Sequence, residues 1–124
     1  MSIALTPQES GFFQKRLEAL PIYITLRQKL AGFPGLAVQA QKTQISFCNP
    51  RMFACVSFLA PLPKREMPPC WLTVSFGLGY PLEEPRIAGC VQINPRRWTH
   101  HVPVATPGQV DAQLMGWLRE AYTL

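Results

Sequence analysis

The chain has two histidines, and they are adjacent at His100-His101. Adjacent residues of a strand point to opposite faces, so the pair cannot chelate one metal together. His100 shares an alternation with Trp98, Val102 and Val104, which marks it as a hydrogen-bonded core histidine. His101 projects with Arg97 and Thr99, where it could contact a ligand or act as a general acid or base. Acid-base chemistry would need a partner, and the candidates are Asp111 or a cysteine. Glu83-Glu84, the one acidic pair, sits in a Pro-flanked turn and reads as a solvated loop. No serine or cysteine lies in a nucleophile elbow or glycine turn. Gly77-Leu78-Gly79 lacks the third glycine and the helix start of a phosphate loop. No cluster of His, Asp and Glu has metal-ligand spacing. No catalytic residue, metal site or cofactor is therefore assigned.

The four cysteines, Cys48, Cys55, Cys70 and Cys90, form no C-x-x-C pair. Each lies in an apolar neighbourhood, which predicts reduced, buried, structural thiols.

What remains is charge. Twelve Lys/Arg oppose seven Asp/Glu, for a net +5. The basic residues occur singly or in pairs, as in Lys15-Arg16, Lys64-Arg65 and Arg96-Arg97, and no run makes a basic tail. One reading gathers Lys42, Arg51, Arg86, Arg97 and His101 on an exposed sheet face with Trp71 nearby. Such a face could hold a small anion, a nucleotide or single-stranded nucleic acid by charge and stacking. The alternative is a solvated face whose long cationic stems lie over apolar side chains.

The elements that must position these residues follow from periodicity. Thr6-Pro7-Gln8-Glu9 is a helix start, with a capping threonine, proline at the first helical position and a capping-box glutamate. Residues 21–31 predict a second helix, with Ile22, Leu26 and Leu30 on one face, Gly32 as its C-terminal cap and Pro34 to stop it. From Leu36 the period falls to two. Strands are predicted at 36–38, 44–47, 52–59 and 71–78, the third apolar on both faces and hence central. Residues 60–70, with four prolines, form a loop. Residues 86–94 are ambiguous, with a short strand near Cys90–Ile93, and 98–104 alternates again. Thr106-Pro107-Gly108-Gln109 repeats the opening device and starts a closing helix over 107–122, with Val110, Leu114, Trp117, Leu118 and Ala121 as its apolar stripe. The expected class is α+β: a helical part at 6–32, an antiparallel sheet of about five strands over 36–104, and the closing helix on one sheet face.

With 124 residues the chain suits one domain over 1–124. Thirteen prolines exclude a long coiled coil, and 48% apolar with 15% charged residues excludes intrinsic disorder. The opening segment has neither a basic n-region nor an apolar core, and no apolar run reaches a membrane-spanning length. A cytoplasmic location with no membrane partner is the plain expectation.

Four stretches carry a family resemblance: Lys42-Thr43-Gln44-Ile45-Ser46-Phe47, Met52-Phe53-Ala54, Arg97-Trp98-Thr99-His100-His101-Val102, and the D-x-x-L-x-x-W-L-x-x-A-Y pattern from Asp111 to Tyr122. Together they resemble an uncharacterised bacterial domain-of-unknown-function family, sometimes labelled a predicted transport protein. The resemblance runs from about Thr6 to Tyr122 and implies the same order of helices, antiparallel sheet and closing helix. It carries no known activity. Lys42, Thr43, Arg97, His101 and Asp111 match its polar signature positions, so Thr43 and Asp111 join the candidate binding residues on that ground. The expected function is a non-enzymatic binding or accessory module whose weakly basic sheet face meets an anionic small molecule or a protein. The competing readings are a small enzyme using His101 with Asp111 or a cysteine, and a homodimerising interaction module. Nucleic acid is a weaker candidate partner.

Overall fold

The computed structural model describes residues 5–124. Residues 1–4, the start of the segment inspected for a leader, lie outside the described residues. Helices α1 (Pro7–Phe12) and α2 (Leu20–Leu30) precede six strands: β1 (Ala37–Ala40), β2 (Ile45–Cys48), β3 (Met52–Ser57), β4 (Leu72–Leu78), β5 (Gly89–Asn94) and β6 (Arg97–Val104). Helix α3 (Ala112–Thr123) follows them. The strands form one antiparallel sheet in the order β1-β2-β3-β4-β6-β5. The class is α+β, with six strands rather than about five. The additional strand is β5, an edge strand with almost every residue exposed. It buries neither face, so its sequence carries no alternation that would reveal it.

The N-terminal capping box forms as the sequence predicts: Thr6 Oγ1 accepts from Glu9 N–H at 3.1 Å, and Glu9 Oε1 accepts from Thr6 N–H at 3.0 Å. The second Thr-Pro does not begin a helix. Pro107–Gln109 makes only a short 3-10 turn, and α3 starts at Ala112 with Asp111 as its N-cap, its carboxylate accepting from Leu114 N–H. Gln109 Oε1 accepts from Ala105 N–H at 2.6 Å, one residue short of the Thr106 N–H that a capping box would use. Val110, however, is fully buried with a ψ of 74°, and its carbonyl accepts from Lys29 Nζ. Anchoring Val110 in the core takes the chain out of helical geometry there.

The core lies between one sheet face and the helices. Leu72, Val74, Phe76 and Leu78 of β4 alternate onto it, joined by Val102 and Val104 of β6, Val56 of β3 and Ile45 and Phe47 of β2. Against them pack Ile22, Tyr23, Leu26 and Leu30 of α2 and Leu114, Trp117, Leu118 and Ala121 of α3. Each fully buried aliphatic side chain contributes about 2 kcal/mol of burial. At the start of β3 the register shifts, with Phe47 opposite Ala54 and Cys48 opposite Met52. Phe53 is thereby released to pack against Phe33 and Tyr122 on the helix side. A bulge re-aims a side chain in this way.

The opposite face of β4 is small and polar: Thr73, Ser75 and Gly77. The Pro-rich segment folds over part of this face. Thr73 Oγ1 donates to Leu59 O at 2.6 Å, and a Cβ at Gly89 would stand 3.8 Å from Pro61 Cβ. Among the described residues no helix is long and apolar enough to cross a membrane.

Candidate functional site

The part of this sheet face left clear of the Pro-rich segment holds a depression of about 310 Å³. Its floor includes Cys55, Ser75, Gly77 and Thr99; Met52, Ile93 and Arg97 form its rim. Three adjacent strands, β3, β4 and β6, build its floor, and β5 adds Ile93 at the rim. Cross-strand pairing sets Cys55 opposite Ser75 and Gly77 opposite Thr99. Gly77 has a specific purpose here. A Cβ at this position would stand 3.1 Å from Arg97 Cδ and 3.3 Å from Arg97 Nη1, so the bare glycine lets the arginine lie close across β4 and a side chain there would push it outward. Among the described residues the two ion pairs are Arg27–Glu9 and Arg86–Asp111. The Arg97 guanidinium takes part in neither.

A second depression, of about 250 Å³, adjoins the first and shares Met52, Phe53 and Arg97 with it; Asn49, Arg51 and Tyr122 are among its other walls. Arg97 thus stands between two hollows, and Arg51 is the other cation there. Of the five basic candidates, these two share a site. Lys42 and Thr43 line a different depression, beside Phe12 and Phe58. Arg86 is a structural clamp. Its Nη1 donates to Asp111 Oδ1 at 2.8 Å and to Gln113, its Nη2 donates to Gln109 O at 2.7 Å, and its guanidinium lies 5.9 Å from the Trp117 ring centroid. Asp111 is committed to capping α3 and to Arg86, whose pull, after the Leu114 hydrogen bond, holds its carboxyl below the usual range. It does not pair with His101. Trp71 lies over Arg16 rather than beside Arg97.

His101 is half-buried, and its Nδ1 stands 2.7 Å from Ser75 Oγ. Burial, with a contribution from neighbouring His100, holds its pKa below the ordinary value. Ser75 also meets Cys55, whose thiol is pushed up by burial and lowered only in part by that hydrogen bond. The row Cys55-Ser75-His101 therefore holds a neutral thiol, a hydroxyl and a neutral imidazole. A thiol held protonated is a poor nucleophile. The described residues give the imidazole no orienting carboxylate, as a catalytic triad would require. Cys90 corrects the expectation of buried thiols. It is exposed, like the residues that follow it on the edge strand β5.

His100 is fully buried and stacks on Phe76 with centroids 5.4 Å apart. Its Nε2 accepts from Leu82 N–H at 2.9 Å, so the neutral ring carries its proton on Nδ1, which has no partner among the described residues. Burial lowers its pKa as well. Both histidines therefore bind protons less readily folded than unfolded. Their contribution to stability is full above the ordinary value of about 6.5 and falls as pH drops below it toward the folded values. Urea midpoints should match at pH 7 and 8 and decline between about 6.5 and 5. His100→Gln should flatten that limb, and a wild-type midpoint constant down to pH 5 would refute the assignment.

Among the described residues no group of three or more His, Cys, Asp or Glu could hold a metal ion. Met52, Cys55, Ser75, Gly77, Ile93 and Thr99 line the site beside Arg97 and are not among the binding residues expected from the sequence. The usable signal was in β4, where one face is uniformly large and apolar and the other uniformly small.

Comparison with curated proteins and with solved structures finds no significant match. A family model described as a domain of unknown function, DUF5655, matches residues 9–124. That match spans nearly the whole chain, with the capping-box Glu9 at its start and the sheet and α3 within it: the protein belongs to the DUF5655 family.

Proposed function

We propose that this chain is a non-catalytic binding domain whose sheet-face depression takes a small organic anion, its charged group on Arg97 and its apolar part against Met52 and Ile93. The observation that carries this reading is the Arg97 guanidinium, spread across Gly77 without an acidic partner among the described residues and facing a hollow that also offers the Ser75 and Thr99 hydroxyls. A guanidinium presents a fork of donors matched to carboxylate or phosphate, and a partly enclosed one binds more strongly than a solvated one. Arg51 adds a second positive charge from the adjoining hollow. Binding is favoured over catalysis because, among the described residues, the His101-Ser75 contact has no orienting acid and no activated nucleophile beside it.

A thermal-shift screen against aliphatic and aromatic carboxylates and sugar phosphates tests the reading. A bound anion should raise the melting temperature in proportion to the logarithm of its concentration. Arg97→Ala should weaken binding about tenfold to a hundredfold, the loss expected for hydrogen bonds to a charged group. Gly77→Val should weaken it as well by displacing the guanidinium. A screen in which no anion shifts the protein, or in which Arg97→Ala leaves the shifts intact, overturns it.

A further inference from the structure

A second basic surface lies where α1, the β1–β2 turn and the end of β3 meet, and the sheet-face depression makes no use of it. Phe58 stacks on Phe12 with centroids 5.1 Å apart and planes 10° from parallel. The Arg16 guanidinium lies 4.7 Å from the Phe58 centroid and 4.9 Å from the Trp71 ring. Trp71 is itself fixed, donating Nε1–H to the carbonyls of Phe58 and Leu59 at 3.3 and 3.2 Å. Arg16 therefore packs against two rings and keeps its N–H edge for a ligand. It takes part in neither ion pair of the described residues. Glu18 lies in the same neighbourhood, since it and Arg16 both act on Cys70.

Two depressions, of about 400 and 530 Å³, share Phe12, Lys42 and Phe58. The first also holds Lys15 and Arg16, the second the Thr43 hydroxyl, and neither is lined by an acidic side chain. The result is an open groove with three cations along it and two half-buried aromatic rings in its wall.

We propose that this groove binds single-stranded nucleic acid, with backbone phosphates on Lys15, Arg16 and Lys42 and an unpaired base against the Phe12–Phe58 pair. Cations interleaved with flat rings suit a strand whose bases are free to stack. A duplex hides its base faces, and an acidic peptide would use the cations without using the rings. The proposal does not depend on the anion site at Arg97.

Fluorescence anisotropy of a labelled thymidine oligonucleotide tests it. Binding should weaken with salt at a log-log slope of about −2, from three contacts at about 0.7 each on a single strand. Lys15→Ala and Lys42→Ala should each lower affinity several-fold and reduce the slope by about 0.7. Arg16→Lys keeps the charge but loses the flat group between the rings, and Phe58→Leu removes the stacking surface. Both should lower affinity several-fold with the slope unchanged, circular dichroism verifying that each variant is folded. Four results overturn the proposal: no binding at low salt, equal affinity for the corresponding duplex, equal competition by polyglutamate of matched charge, or insensitivity to Lys42→Ala.

Discussion

Phe76→Ala is expected to cost about 4 kcal/mol of folding stability, within the range for truncating a fully buried phenylalanine. Phe76 is 1% exposed and lies in the middle of a layered stack. His100 packs on it at 5.4 Å and 12°, and Trp117 of α3 packs on it at 5.9 Å and 25°. Removing the ring opens a cavity between sheet and helix and strips the buried imidazole of its neighbour. It also loosens the one direct ring contact between β4 and α3. Phe76→Leu keeps most of the volume and should cost less than half as much. Chemical denaturation of the two variants checks this, and a loss below about 1.5 kcal/mol for Phe76→Ala would show that the site collapses around the missing ring.

Glu9→Ala is expected to cost about 3 kcal/mol, the range in which one partner of a buried ionic group is removed. Glu9 is 1% exposed and accepts three hydrogen bonds. Thr6 N–H donates to Oε1, while the Tyr23 hydroxyl and Arg27 Nε, at 2.9 Å, both donate to Oε2. Burial alone would raise its pKa, but these donors outweigh burial and hold it below the usual carboxyl value. The Tyr23 hydroxyl is pushed the opposite way by burial and by the adjoining carboxylate. Truncation leaves a tyrosine hydroxyl and a mostly covered guanidinium without their acceptor, and undoes the cap of α1. Replacing all three together, as Glu9→Leu with Tyr23→Phe and Arg27→Met, should recover much of the loss, because no orphaned polar group remains. The sign of the pH effect follows from the lowered pKa. The stabilisation is present above the ordinary carboxyl value and is lost as pH falls through the folded one. Wild type should therefore show an acid limb below about pH 4.5 that Glu9→Gln lacks. That limb is separate from the histidine limb, which lies higher. Wild type and Glu9→Gln unfolding alike across that acid range would refute the role given to Glu9.

The cluster also shows what sequence alone could convey. Thr6 and Glu9 could be identified as a capping box because that motif is local, four residues long and chemically explicit. That the same carboxylate receives Tyr23 and Arg27 from α2 was not legible, since it depends on how two helices meet. The same division runs through the sheet. Alternation in β4 and β6 gave the face of every residue there, so Arg97, Thr99 and His101 were correctly placed together on one side. Alternation cannot say which strand lies alongside. Gly77 beneath Arg97, and Ser75 beside His101, follow from β4–β6 pairing between segments distant in the chain. Lys42 and Arg86 failed to join Arg97 for a related reason. Both sit in connections, where no period fixes direction, and Arg86 is claimed by an aspartate on a different element. Two further misreadings have local causes. A strand exposed on both faces leaves no alternation, which hid the extent of β5. A buried valine outweighed a well-formed helix signal at Thr106.

The strand order has a consequence for how the sheet is assembled. From β1 to β4 each strand pairs with its predecessor, so that half can zip up through successive neighbours. β6 breaks the series, docking on β4 while β5 is carried outside it. The chain between β4 and β6 must swing clear before the central ladder can close, and the entropy of that closure must be met before any contact repays it. The β5–β6 ribbon is a local pairing and can form independently of the other half. β5 itself buries no large side chain, so detaching it breaks one ladder and leaves the core covered. In dynamic terms the sheet has a rigid interior and one detachable margin, where local opening costs least.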